Sequence, residues 1–154
     1  MDPLQRLLDI EEIKQLKGRY FRCFDTKDWE GWLGVFTDDV VLEFSLGVPP
    51  RDGSREVEFT RLEGKQGLRD FVVPYTDPAQ TVHQGHTPEI EILSETEARG
   101  IWAMEDIVDH FTDVAHGFGH YHETYRKVDG AWRIATVRLT RLRISQQRRD
   151  TIAL

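Results

Sequence analysis

Two side chains in the 154-residue sequence are suited to move a proton together. Asp25 stands at the end of an apolar-striped segment, and His83 lies in the stretch QTVHQGHTPEIEI. A histidine that donates one ring nitrogen to a carboxylate has a fixed tautomer and a supported imidazolium, which leaves the other nitrogen as a general base near neutral pH. Such a pair suits proton abstraction beside an activating group, as in a dehydration, another β-elimination or a double-bond shift. Tyr20 could polarise a substrate oxygen by donating a hydrogen bond to the charge developing there. This chemistry requires no metal and no redox cofactor. Spacing alone also fits a solvated loop acid and a satisfied core histidine, so the pairing depends on what positions the two residues.

The remaining polar and aromatic residues divide by strand parity. His83 and His86 differ by three and point to opposite faces of an extended segment, which gives the cavity to one of them and an edge or interface to the other. Trp102, Met104 and Asp106 share a face, and Trp102 serves either as core or as a flat wall for a ring-shaped substrate. If Tyr121, Glu123 and Tyr125 line the cavity, His120 and His122 face away from it, toward solvent or another subunit, and the metal reading of their H-x-H spacing is not favoured. His110 and His116 flank a stretch that reads as a loop.

The elements that must carry these residues follow from hydrophobic periodicity. Leu7, Ile10, Ile13, Leu16, Tyr20 and Phe24 recur at three and four, which predicts an amphipathic helix ending near Asp25. Asp28 caps a second short helix carrying Trp29, Trp32 and Leu33, and Thr37-Asp38-Asp39 turns the chain into a strand over 40–44. A turn-rich stretch, a short strand over 56–62 and a third helix over 64–73, stopped near Pro74, come next. The second half changes period to strands over 89–93, 98–108, 118–128 and 132–144, the last two joined by an Asp129-Gly130 hairpin. Helices followed by an antiparallel sheet define an α+β class, and a helix across a curved sheet leaves a cone-shaped cavity suited to a small ligand. The chain forms one domain over residues 1–145, followed by a polar tail over 146–154, in which Arg148 and Arg149 are too few for a nucleic-acid claim.

Composition narrows the partners. A formal charge of -7 and a pI near 5.3 argue against nucleic acid. Neither a signal peptide nor a long apolar run is present, which points to a cytoplasmic protein that does not enter the membrane. The single cysteine, Cys23, reads as a small buried hydrophobe.

The segments IEEIKQLKGRYFRCFDTKDWEGWLGVFTDDVVLEF, TVHQGHTPEIEI, RGIWAMEDIV and GHYHETYRKVDGAWRIATVRLTRL together resemble the SnoaL-like branch of the nuclear transport factor 2-like superfamily. Their order is similar to that in scytalone dehydratase, bile acid 7α-dehydratase and hexachlorocyclohexane dehydrochlorinase. The resemblance implies a cone-shaped α+β barrel with Asp25 and His83 as the catalytic pair, Tyr20 assisting and Asp106 a polar pocket residue. Phe24, Trp102 and Tyr121 join Asp106 as expected substrate-binding residues. Tyr121 and Gly119 stand near positions where scytalone dehydratase uses an asparagine and a serine, so its exact substrate is not implied. Arg138 and Arg141 compete for the last-strand arginine position. The expected function is a cofactor-free dehydratase, elimination or isomerisation lyase for a small hydrophobic, cyclic substrate, in a homo-oligomer, a trimer or a dimer. Two alternatives stand beside it: a non-catalytic ligand-binding or assembly subunit like the dioxygenase β subunits, and a polyketide cyclase or ketosteroid isomerase-like enzyme whose base is Asp106 or Asp25.

Overall fold

The computed structural model describes residues 2–148. Helix α1 (Pro3–Asp25) and the single-turn α2 (Trp29–Leu33) lead into strand β1 (Phe36–Phe44). Next come β2 (Thr60–Glu63), α3 (Gly64–Thr76) and four long strands: β3 (Gln80–Ile92), β4 (Glu97–Asp109), β5 (Asp113–Val128) and β6 (Ala131–Arg148). They form one six-stranded sheet in the order β2-β1-β6-β5-β4-β3. All neighbours pair antiparallel except β1 and β6, which run parallel. The architecture is therefore α+β with an open mixed sheet, where alternation alone predicted an antiparallel one. No helix of the described residues is long and apolar enough to cross a membrane.

Helix α1 lies across the sheet and packs on β3 and β6, while α3 packs on β1. The core between them contains Ile13, Leu16, Phe36, Tyr125, Trp132 and Ile134, each almost wholly buried. The predicted stripe on α1 holds from Ile10, which packs partly buried against the core, but not at Leu7. Leu7 is 64% exposed, and the buried residue of that turn is Asp9. The carboxylate of Asp9 faces inward because it accepts from Lys127 Nζ at 2.7 Å and Trp132 Nε1 at 3.0 Å.

Helix α1 ends in a Schellman closure. Asp28 N–H donates to Cys23 O at 2.8 Å and Lys27 N–H to Phe24 O at 3.1 Å, with Lys27 left-handed at φ 62°. Asp28 then caps α2 by accepting from Gly31 N–H at 3.0 Å, as its position predicts. Cys23 is buried and unpaired in a disulfide.

Several boundaries differ from the sequence reading. Strand β1 starts at Phe36, and Thr37-Asp38-Asp39 is taken up in an irregular stretch of its ladder to β6 between Phe36 and Val41 rather than in a turn. Strand β2 is only four residues long because pairing begins where Thr60 meets Phe44; residues 56–59 run irregularly along the cavity. Helix α3 continues past Pro74 to Thr76, whose hydroxyl donates to Val72 O at 2.7 Å. Strand β3 begins at Gln80 rather than at the predicted residue 89 and runs through Pro88; its ladder to β4 shifts between His86 and Glu89 and resumes. The stretch holding His110 and His116 is a hairpin with a tight turn, closed by His110 N–H to Asp113 O at 2.9 Å, and His116 lies within β5. Residues 146–148, assigned to the tail, pair with Asp113–Ala115; Arg149 and the rest of the tail lie outside the described residues. Asp129 and Gly130, at φ 50° and 78°, make the predicted hairpin turn between β5 and β6.

Candidate active site

Between α1, α3 and the sheet lies a cavity of about 920 Å³, within the range that accepts a small organic ligand. Tyr20, Phe24, His83, Asp106, Tyr121 and Arg141 all line it. Apolar groups make up most of the remaining wall, including Trp32, Leu42, Val137 and Leu139.

Asp25, at the last turn of α1, meets the first residues of β3. Its Oδ1 lies 2.7 Å from His83 Nδ1, and its Oδ2 accepts the His83 backbone N–H at 2.8 Å. An ionised carboxylate only accepts, so Nδ1 carries the proton and Nε2 of a neutral ring is left as an acceptor. The imidazole is nearly buried and packs edge-on against Phe24, with centroids 4.6 Å apart. Thr81, two residues earlier on the same face of β3, donates its hydroxyl to Asp25 Oδ1 at 2.9 Å and accepts from Lys27 Nζ at 3.1 Å. Three donors thus converge on the Asp25 carboxylate.

Across the cavity, Arg141 grips Asp106 in a two-pronged ion pair, Nη1 to Oδ1 at 2.7 Å and Nη2 to Oδ2 at 2.8 Å. A Cβ on Gly117 would collide with both groups, so the strand pairing leaves room for this pair only because residue 117 is glycine. Arg138 turns the other way, toward Glu43 at 3.4 Å and the Phe59 ring at 4.1 Å. The choice between the two arginines is thereby settled by geometry: Arg141 lines the cavity.

Beneath Tyr20 and Tyr121 lies a wholly buried ion pair, Lys17 Nζ to Glu123 Oε1 at 2.5 Å. The ammonium sits 3.7 Å from the Tyr121 ring centroid and 4.0 Å from that of Tyr20. Glu123 Oε2 also accepts from the Tyr125 hydroxyl at 2.5 Å, which accepts from Trp102 Nε1 at 2.9 Å. Burial, followed by the charge of Glu123, pushes the Tyr20 phenol well above its ordinary value of 10.0. Burial likewise raises Tyr121. Both phenols therefore stay protonated and neither serves as a base.

The model of the SnoaL-like domain matches residues 5–138. The chain belongs to this family. Among relatives of known sequence, the probable cyclase FGR4 of Gibberella zeae is 26% identical over 138 residues, 84% of this chain and 89% of the relative. Among solved structures, a candidate scytalone dehydratase from Novosphingobium aromaticivorans superposes with a TM-score of 0.77 at 18% identity, over 91% of this chain and 88% of that one. A hexachlorocyclohexane dehydrochlorinase, LinA-type3 of Novosphingobium barchaimii, gives 0.73 at 16% identity, over 99% and 98%. At such identities the two structures speak for the fold alone.

In this SnoaL-like chain the residues singled out from sequence divide into three groups. Asp25 and His83 are in hydrogen-bond contact, and Tyr20, Phe24, Asp106 and Tyr121 share the cavity with His83. Trp102 is instead in the core, held through Tyr125 and not on the cavity wall. His86, His116, His120 and His122 lie away from the cavity: His116 Nε2 is 2.7 Å from Glu105, and His122 Nε2 is 3.1 Å from the Thr140 hydroxyl. Sequence reasoning missed Thr81, Lys27 and Lys17. The i, i+2 spacing of Thr81 and His83 could have shown the first, and the position of Lys17 on the buried face of α1 the last.

Proposed function

We propose that the protein is a cofactor-free lyase or cyclase-type catalyst that removes a proton from a small hydrophobic, cyclic substrate by way of the Asp25–His83 pair. The observation that carries this reading is the 2.7 Å contact between Asp25 Oδ1 and His83 Nδ1 at the wall of an apolar cavity. His83 Nε2 takes the proton, and Asp25 holds the ring in the tautomer that leaves Nε2 free and offsets the imidazolium charge. Tyr20, protonated and on the cavity wall, donates to negative charge developing on a substrate oxygen. If hydroxide or halide then departs, the outcome is elimination; if the proton returns elsewhere, a double-bond shift.

The relative named as a probable cyclase favours a second outcome from the same first step, in which the carbanion attacks within the substrate to close a ring. A carboxylate base at Asp106 is less favoured, because both its oxygens are engaged by Arg141. The test is a screen of cyclic hydroxy, halo and keto compounds with product analysis, run beside His83→Ala. The variant should keep its far-UV circular dichroism and lose turnover; a folded variant that still turns substrate over would overturn the mechanism.

A further inference from the structure

We propose that Lys27 and Thr81 are positioning residues of the Asp25–His83 pair, Thr81 fixing the carboxylate and Lys27 setting the electrostatic balance of the imidazole. This rests on the reading of that pair as the proton-transfer site. A continuous path of hydrogen bonds connects them: Lys27 Nζ to Thr81 Oγ1 at 3.1 Å, Thr81 Oγ1 to Asp25 Oδ1 at 2.9 Å, and Asp25 Oδ1 to His83 Nδ1 at 2.7 Å. With its hydroxyl proton committed to Asp25, Thr81 presents its lone pairs to the ammonium, so each group in the path has the polarity its neighbour needs.

The backbone makes this reach possible. Lys27 occupies the left-handed position of the α1 closure, φ 62°, where glycine is the usual residue. That conformation turns the chain back and brings Nζ over the Phe24 and Trp29 rings, 5.7 and 5.5 Å from their centroids. A side chain at this position carries a conformational cost that glycine avoids. Half-buried as it is, Lys27 has its pKa lowered by burial, against the attraction of Asp25 and Asp77.

The charged groups facing the pair are few. Asp25 comes from α1, Lys27 from the turn after it, and Asp77 from the turn after α3, where it accepts from Trp29 Nε1 at 2.7 Å. From β4 and β6 come Asp106, opposite His83 in the ladder, and Arg141, which is committed to Asp106. Among the described residues, Lys27 is the cation whose hydrogen bonds lead to Asp25.

The test requires no substrate. The imidazole nitrogens of His83 are followed by NMR through a pH titration in the wild type and in Lys27→Met, Lys27→Gly, Lys27→Arg and Thr81→Val. Removing the cation at the end of this path favours the protonated ring, so the His83 midpoint should move up in Lys27→Met. Lys27→Arg should restore it. Lys27→Gly should show the same upward shift while its thermal midpoint rises, an outcome that a purely structural role for Lys27 cannot produce. In Thr81→Val the carboxylate keeps both contacts to His83, so the ring should keep its Nδ1–H tautomer while its midpoint moves up, because a carboxylate that has lost one donor holds the imidazolium more tightly. An unchanged midpoint in folded Lys27→Met, Lys27→Gly and Thr81→Val overturns the proposal and leaves the pair itself standing. Turnover that survives His83→Ala would instead remove the catalytic reading without touching this linkage.

Discussion

Replacing Lys17 with methionine isolates what the ion pair under the cavity floor contributes. Neither Lys17 nor Glu123 has any side-chain exposure, and Nζ lies 2.5 Å from Oε1. Burial lowers the pKa of the ammonium and Glu123 opposes that effect, so the pair survives only as a pair. Methionine matches the lysine stem closely enough to leave no large void, which makes the loss electrostatic. Stranding one partner of a buried ion pair costs roughly 3–5 kcal/mol. Because Tyr125 still donates to Glu123, the lower end, about 3 kcal/mol, is expected. In a domain of this size each kcal/mol moves the thermal midpoint by about 2–4 °C, giving a fall of roughly 10 °C. Urea unfolding followed by tryptophan fluorescence measures it, with an unchanged m-value as the check that the denatured state is unaltered. The double variant Lys17→Met/Glu123→Gln removes the stranded charge and leaves Tyr125 an acceptor; it should return to within about 1 kcal/mol of wild type. A single variant as stable as the wild type, or a double variant no better than the single, would refute the argument.

Three further outcomes follow from the same geometry. Burial acts to raise the pKa of Asp9, but hydrogen bonds from Lys127, Trp132 and Gln5 outweigh it, leaving the value below the ordinary 3.8. Its stabilisation is complete above that pH and is lost as pH falls through the lower folded value, so thermal melts should show an acid limb below about pH 4 that Asp9→Asn flattens. Gly117→Ala should cost about 1–3 kcal/mol and weaken binding of any cavity ligand, measured by denaturation and calorimetry, because its methyl group displaces the Asp106–Arg141 pair. Trp102→Phe should cost about 1 kcal/mol through the lost bond to Tyr125, while ligand affinity is unchanged because Trp102 does not reach the cavity.

The fold was legible where one physical signal dominated. Period 3.6 gave α1 from Ile13 to Phe24, and Asp129-Gly130 gave the last hairpin, because no tertiary contact competes with a turn that needs positive φ twice. The parallel pairing of β1 with β6 was not legible, since strand direction depends on where the chain returns and not on which residues alternate. The contact of Asp25 with His83 became an expectation only through the order of several segments. Spacing 58 residues apart carries no information about two side chains meeting across a helix and a strand.

The buried charges were hidden for a different reason, and it is a correctable one. Asp9, Ile13, Lys17, Tyr20 and Phe24 lie on one face of α1, yet a search for apolar periodicity passes over the two charged members. Glu123 sits between Tyr121 and Tyr125 on the inward face of β5, and its partner is Lys17 in the layer below. A charge in phase with a buried face must be paired or neutral, because desolvation alone would cost several kcal/mol. Two charges of opposite sign, each in phase with the core on elements that pack together, therefore predict each other. Lys17 and Glu123 satisfy that condition, as do Asp9 on α1 and Lys127 on β5. Read in this way, the polar interruptions in an amphipathic pattern place α1 across β5 as specifically as its apolar residues do.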